Sequence, residues 1–218
     1  GTKDSSYINI ILTAIQVLGL VFVIVVSLKY FGSVNFLESP KGIKGIFSAS
    51  SLIFFAYIGF ESLVKLSEET KNSKKVIPIA LLSSILIATV LYILVSLSAV
   101  SVLGYKELSA SQAPLSDVIS KALNPKYSLI ITIIALLSTA TTVLLIILAT
   151  SRILYGIGED NKSLKFLTKI SQKSRTPYLA VIITFFIASL FILIGNIETV
   201  ASLTNFTIFF TFFFILTT

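Results

Sequence analysis

Apolar residues in this chain come in long blocks, not at the spacing that gives a helix one oily and one watery face. Six blocks stand out, over about residues 7–30, 45–66, 76–102, 127–155, 177–194 and 200–218. A helix that is apolar all round has to be buried or to cross a bilayer, and about 20 residues suffice to cross. The pattern predicts an all-α, polytopic helical membrane protein, with residues 1–218 forming a single transmembrane domain.

The segments between the blocks carry the turn formers and the charge. Gly32, Ser33, Asn35, Pro40 and Gly42 end the first block, and Gly195-Asn196 makes a tight turn between the fifth and sixth. Two connections are amphipathic. Pro114 as a helix start, with Asp117 in the first turn, predicts a short interfacial helix over 113–123. Lys162, Lys165 and Lys169, set among Leu164, Phe166, Leu167 and Ile170, predict a second over 162–172, resting on the membrane surface. Pro78 falls in the first turn of the third span, where a missing N–H costs little.

Polar residues inside the blocks matter more, because a membrane interior offers them no water. Phe54-Phe55-Ala56-Tyr57-Ile58-Gly59-Phe60-Glu61 places a glycine and a carboxylate in the second block. Gly59 either lets two helices pack closely or lets the helix unwind. Non-helical backbone at this depth is tolerated only where protein or a watery cavity surrounds it. Apart from Lys65, Glu61 has no basic residue within a turn of its own helix, so it needs a partner on another helix or a proton. Gln16, the strongly polar side chain near the middle of the first block, either bonds a neighbouring helix or lines a cavity. In the fourth block Ala135, Thr139, Thr142 and Ala149 fall near one stripe, which could pack on a neighbour or line a path.

Composition agrees with this picture. The chain is 55% hydrophobic and 12% charged, with a mean hydropathy of +0.97. Its net charge of +7 could suggest nucleic acid, but the basic residues lie between apolar blocks and not on one face among exposed aromatics. They read as an orientation signal. Eleven Lys and Arg fall on the side of Lys3, of the 65–75 loop and of the 156–175 loop, against six on the other side, which places Gly1 and both loops in the cytoplasm of a multi-pass cell-membrane protein.

Cys, His, Met and Trp are absent, so thiolate and imidazole metal sites are excluded within these residues. No phosphate loop, HExxH or GxSxG motif is present, so neither an enzyme nor a cofactor is expected. What remains is a broken-helix binding site, where unwound carbonyls meet a cation or ammonium and half-helix N-termini attract a carboxylate. The chain starts at Gly1 without a methionine and stops in an apolar run at Thr218, the pattern expected of a piece of a longer polypeptide.

Phe54 to Ser62, followed by Glu68-Glu69-Thr70-Lys71-Asn72 and Ile77-Pro78, resembles the sixth transmembrane helix and following loop of amino acid permeases of the amino acid-polyamine-organocation superfamily. Thr150-Ser151-Arg152-Ile153-Leu154-Tyr155 with Glu159-Asp160 is similar to the end of helix eight. Arg175-Thr176-Pro177 resembles the start of helix nine, and Ser202-Leu203-Thr204-Asn205-Phe206 that of helix ten. The resemblance covers nearly the whole chain, as helices five to ten of twelve. It implies the second inverted repeat of a five-plus-five fold with one preceding helix; helix one, which completes the family's substrate site, would belong to the remaining helices of a parent permease.

The resemblance also implies roles. The substrate would be an amino acid or related amine, bound along Phe55, Ala56, Tyr57, Ile58, Gly59 and Phe60. The carbonyls of Phe55 and Ile58 would receive its α-ammonium, with Phe55 also at an aromatic gate position. Glu61 would sit at a position linked to proton coupling, and Gln16, Thr139 and Thr142 are further coupling or gating candidates. Three departures bear on this. Ser73 stands where the family usually has proline, Gly158-Glu159-Asp160-Asn161 replaces Ala-Arg-Asp-Gly, and Gln16 replaces a lysine that substitutes for sodium in some cousins. The coupling ion, proton or sodium, stays open. Secondary transport by alternating access is the expected function. The rivals are a membrane sensor or scaffold that binds without transporting, and a half-size subunit that dimerises.

Overall fold

A backbone in lipid has to satisfy its own hydrogen bonds, and apolar blocks of this length do so as helices. The computed structural model describes residues 2–59, 70–171 and 176–217. Among them are seven α-helices: α1 (Thr2–Ser27), α2 (Gly42–Ile53), α3 (Ser73–Ala110), α4 (Pro114–Ala122), α5 (Pro125–Asp160), α6 (Tyr178–Ile192) and α7 (Ile197–Thr217). Four segments are helical, long and apolar enough to cross a membrane, namely Asn9–Tyr30, Ser73–Ala110, Pro125–Asp160 and Ile197–Thr217. Large apolar side chains are exposed all along these helices, among them Leu82, Leu136 and Phe206. So much apolar surface is untenable in water and is what a lipid-facing helix presents. The protein is an all-α polytopic membrane protein.

Hydroxyl residues inside the helices bond to their own backbone. Ser27, Thr89, Thr142, Thr184 and Thr204 each donate to a carbonyl one turn earlier, at 2.8–3.0 Å. That removes most of the cost of carrying a hydroxyl into an apolar medium.

The chain divides into two compact units, Gly1–Leu136 and Leu137–Thr218. In the first, α1 continues into a 3-10 turn at Leu28–Tyr30 and packs along α3. Small buried residues, Ser27, Ser98, Ala99 and Ser101, bring the two backbones close. The loop after α1 is tied to α3 by Ser33 Oγ, which donates to the Ser101 carbonyl at 2.7 Å. α3 starts behind Asn72, which takes a left-handed conformation (φ 55°, ψ 40°). This start puts Pro78 inside the helix and not in its first turn, and the missing bond falls on the carbonyl of Lys74, near the polar end. α3 bends at Gly104 (φ 72°, ψ 161°) and runs on to Ala110.

α4 lies across the ends of α1 and α3. Pro114 occupies its first turn with Asp117, and Lys121 its last, the charge order that suits the helix dipole. Its apolar face, Val118, Ile119 and Ala122, joins Val23, Ala99, Val102, Leu103 and Ile131 in the main buried cluster. The polar face carries an ion pair between Lys121 and Glu107.

In the second unit the segment after α5 folds as a 3-10 turn over Lys162–Thr168, begun by Asn161, whose side chain accepts from the Ser163 N–H at 3.0 Å. The sequence predicted a short interfacial helix over 162–172, and the helical turn described there is of the 3-10 type and ends at Thr168. The difference has a local cause: the turn closes back on the end of α5 with Leu167 buried, and Ile170 then pairs with Pro177 as an isolated bridge. A Cβ on Gly158 would meet the Leu164 carbonyl oxygen at 3.0 Å, so a larger residue there would press on this return. On α7, Phe206, Phe210 and Phe214 form a stripe at one-turn spacing.

Candidate functional site

α2 holds its hydrogen-bond ladder only to Ile53. Phe54–Tyr57 tighten into a 3-10 turn, closed by the Ile58 N–H donating to the Phe55 carbonyl at 3.2 Å. Ile58 is extended (φ −64°, ψ 137°) and Gly59 has φ +116°, a conformation that side-chain-bearing residues rarely adopt. The apolar run is therefore interrupted at the motif that the sequence singles out. Phe60 and Glu61 lie outside the described residues.

The interruption is held by α3. Tyr92 donates its hydroxyl to the Ala56 carbonyl at 3.0 Å. Tyr57 Oη lies 3.0 Å from Thr89 Oγ1. Because Thr89 spends its one proton on the Ile85 carbonyl at 2.8 Å, Tyr57 is the donor of that pair. The Tyr57 and Tyr92 rings meet edge to face, with centroids 5.5 Å apart and planes at 76°. Beside them lies a cavity of about 620 Å³, lined mainly by apolar groups from Leu20, Ile53, Ala56, Ile93 and Leu115 and by both tyrosines.

Of the sequence-predicted residues, Phe55 is exposed, Tyr57 and Ile58 are half-buried, and Ala56 and Gly59 are exposed. Of the two carbonyls implied as ammonium acceptors, that of Phe55 takes the Ile58 N–H with one lone pair and keeps the other. Gln16 is half-buried on α1 in the same unit. Thr139 and Thr142 are exposed on the part of α5 that belongs to the second unit, and Thr142 bonds the Ser138 carbonyl at 3.0 Å. Sequence reasoning passed over Thr89 and Tyr92. Their signal was present, since a hydroxyl pair at i, i+3 in an apolar span lies on one helix face.

A helix that ends inside an apolar run and is tied to a long neighbouring helix suits a transporter, and the family comparison decides the matter: the amino acid permease family matches residues 1–218. The chain belongs to that family. Its relatives are membrane transporters, not enzymes. It is 31% identical over 198 residues to the branched-chain amino acid permease BcaP of Bacillus subtilis, covering 90% of the chain and 42% of that protein. It is 29% identical over 217 residues to cationic amino acid transporter 1 of Arabidopsis thaliana, covering 99% and 36%. To the methylthioribose transporter of B. subtilis it is 27% identical over 206 residues, covering 94% and 44%. The chain thus spans about two-fifths of the length of these relatives. No solved structure matches it.

Proposed function

We propose that this permease chain takes part in secondary active transport of amino acids or related amines by alternating access, with the substrate held at the break after α2. The observation that carries the reading is the interrupted span itself. Extended backbone at Ile58 and the positive φ of Gly59 free carbonyls from the helical ladder, in a family whose named relatives carry branched-chain and cationic amino acids. An ammonium group is the partner such carbonyls suit.

In this reading the six spans are those of the apolar blocks, the second continuing from α2 through the motif to about residue 66. The 113–123 and 162–172 segments lie at the membrane surface. The basic loops put Gly1 in the cytoplasm and the protein in the cell membrane. Phe55 to Phe60 contact substrate, Phe55 as a gate. Glu61, Gln16, Thr139 and Thr142 serve coupling or gating, with a proton or sodium as the coupling ion, and the remaining helices of the permease complete the site.

Counterflow of labelled leucine and of labelled arginine into proteoliposomes holding the complete gene product tests the proposal. Exchange of either is expected, with loss in Glu61→Gln and Gly59→Leu. Binding without exchange would replace transport by a sensor role, and undiminished exchange in both variants would overturn the site.

A further inference from the structure

The turn after α2 leaves regular helical geometry. The α-helix ends at Ile53, a 3-10 turn covers Phe54–Tyr57, and the backbone leaves the helical region at Ile58 and Gly59. In an apolar medium the geometry of such a segment is set by whatever supplies its hydrogen bonds from outside. Among the described residues, two on one face of α3 supply such bonds. Tyr92 supplies a donor to the Ala56 carbonyl, Thr89 an acceptor to the Tyr57 hydroxyl, and the Tyr57 and Tyr92 rings brace each other.

The dependence runs both ways. Residues 89–92 stand near the middle of α3, in a stretch without Pro or Gly, where a phenol hydroxyl lacking a partner would be costly. The partner it finds is a main-chain carbonyl, available because α2 has ended. A straight second span would leave Tyr92 without this partner. The position near mid-helix also matches the depth at which transporters hold substrate between discontinuous helices.

We propose that Tyr92, supported by Thr89, is a positioning residue for the substrate site. By drawing the Ala56 carbonyl toward α3, it fixes the direction in which the carbonyls of Phe55 and Ile58 are offered to the substrate's ammonium group. This rests on the transport reading above. In this role Tyr92 acts through the backbone at Ala56.

The test is Tyr92→Phe in the complete gene product, a change that keeps the ring and removes the donor, with Thr89→Val as a second variant. These residues contain no cysteine, so Ile58→Cys in a cysteine-free background reports on the turn by its rate of modification with N-ethylmaleimide. Tyr92→Phe is expected to raise that rate about threefold or more, and to raise the KM for leucine or arginine about threefold to tenfold with kcat within about twofold, the size of one membrane hydrogen bond spent on binding geometry. Thr89→Val is expected to shift both in the same direction by less. An unchanged modification rate overturns the anchoring, whether or not transport is seen. A raised rate with unchanged KM overturns the positioning role. If the parent moves neither probe, the transport reading fails by itself, and the modification rate still decides whether α3 holds the turn.

Discussion

The hydroxyl of Tyr57 meets Thr89 Oγ1 at 3.0 Å across 32 residues of sequence, and Thr89 donates its own hydrogen bond to the Ile85 carbonyl at 2.8 Å. The turn after α2 is thus linked, through two hydroxyls, to the backbone of α3. Such a relay has a signature in a double-mutant cycle. Tyr57→Phe and Thr89→Val each remove the same bond, so the double variant is expected to lose little more than either single one, with a coupling energy of about 0.6–1.7 kcal/mol. Thermal unfolding in detergent measures it, and full additivity would mean that the two hydroxyls do not interact.

Two glycines that no described residue crowds should respond in opposite ways. Among the described residues, a Cβ added at Gly59 or at Gly156 would meet nothing within 4 Å, so crowding by them decides neither outcome. What separates them is backbone. Gly59 holds φ +116°, whereas Gly156 sits inside α5. Gly59→Ala is expected to cost about 1–2 kcal/mol of conformational strain and to reduce uptake, because relieving the strain means re-forming the turn. Gly156→Ala is expected to stabilise by up to about 1 kcal/mol through helix propensity, with uptake unchanged. Uptake assays and melting curves on the two variants check the pair; equal effects would show that the positive φ carries no functional weight.

The all-α membrane architecture was legible because it depends on block length and hydropathy, which are local. The interruption near Gly59 was legible for a related reason: a glycine inside an apolar span next to an ionisable side chain breaks two local rules at once. What holds the interruption was not. Thr89 and Tyr92 lie in a different span, and nothing within the third block says which helix their hydroxyls will face. The 162–168 segment differs for the same reason, since its basic and apolar spacing suits an α-helix in isolation. The 3-10 turn goes with a close return of this segment onto Gly158 at the end of α5, which residue spacing alone does not show. The extension of α3 past Gly104 also depends on surroundings, with Ser33 and α4 packed around the bend.

The short helix α4 separates two kinds of contribution on neighbouring residues. Ile119 is fully buried in the main apolar cluster, whereas Lys121 and Glu107 pair on the surface with about half of each side chain exposed. Burial should outweigh charge. Ile119→Ala removes buried methylenes from a site walled by α1, α3 and α5, and is expected to cost about 2–5 kcal/mol. Lys121→Gln is expected to cost at most about 1 kcal/mol, and that small effect should fade as salt is raised, since exposed pairs are screened. Thermal unfolding of both variants at low and high ionic strength makes the comparison. A Lys121→Gln loss as large as that of Ile119→Ala would mean that α4 is held down by its ion pair, and that the apolar face under it contributes little.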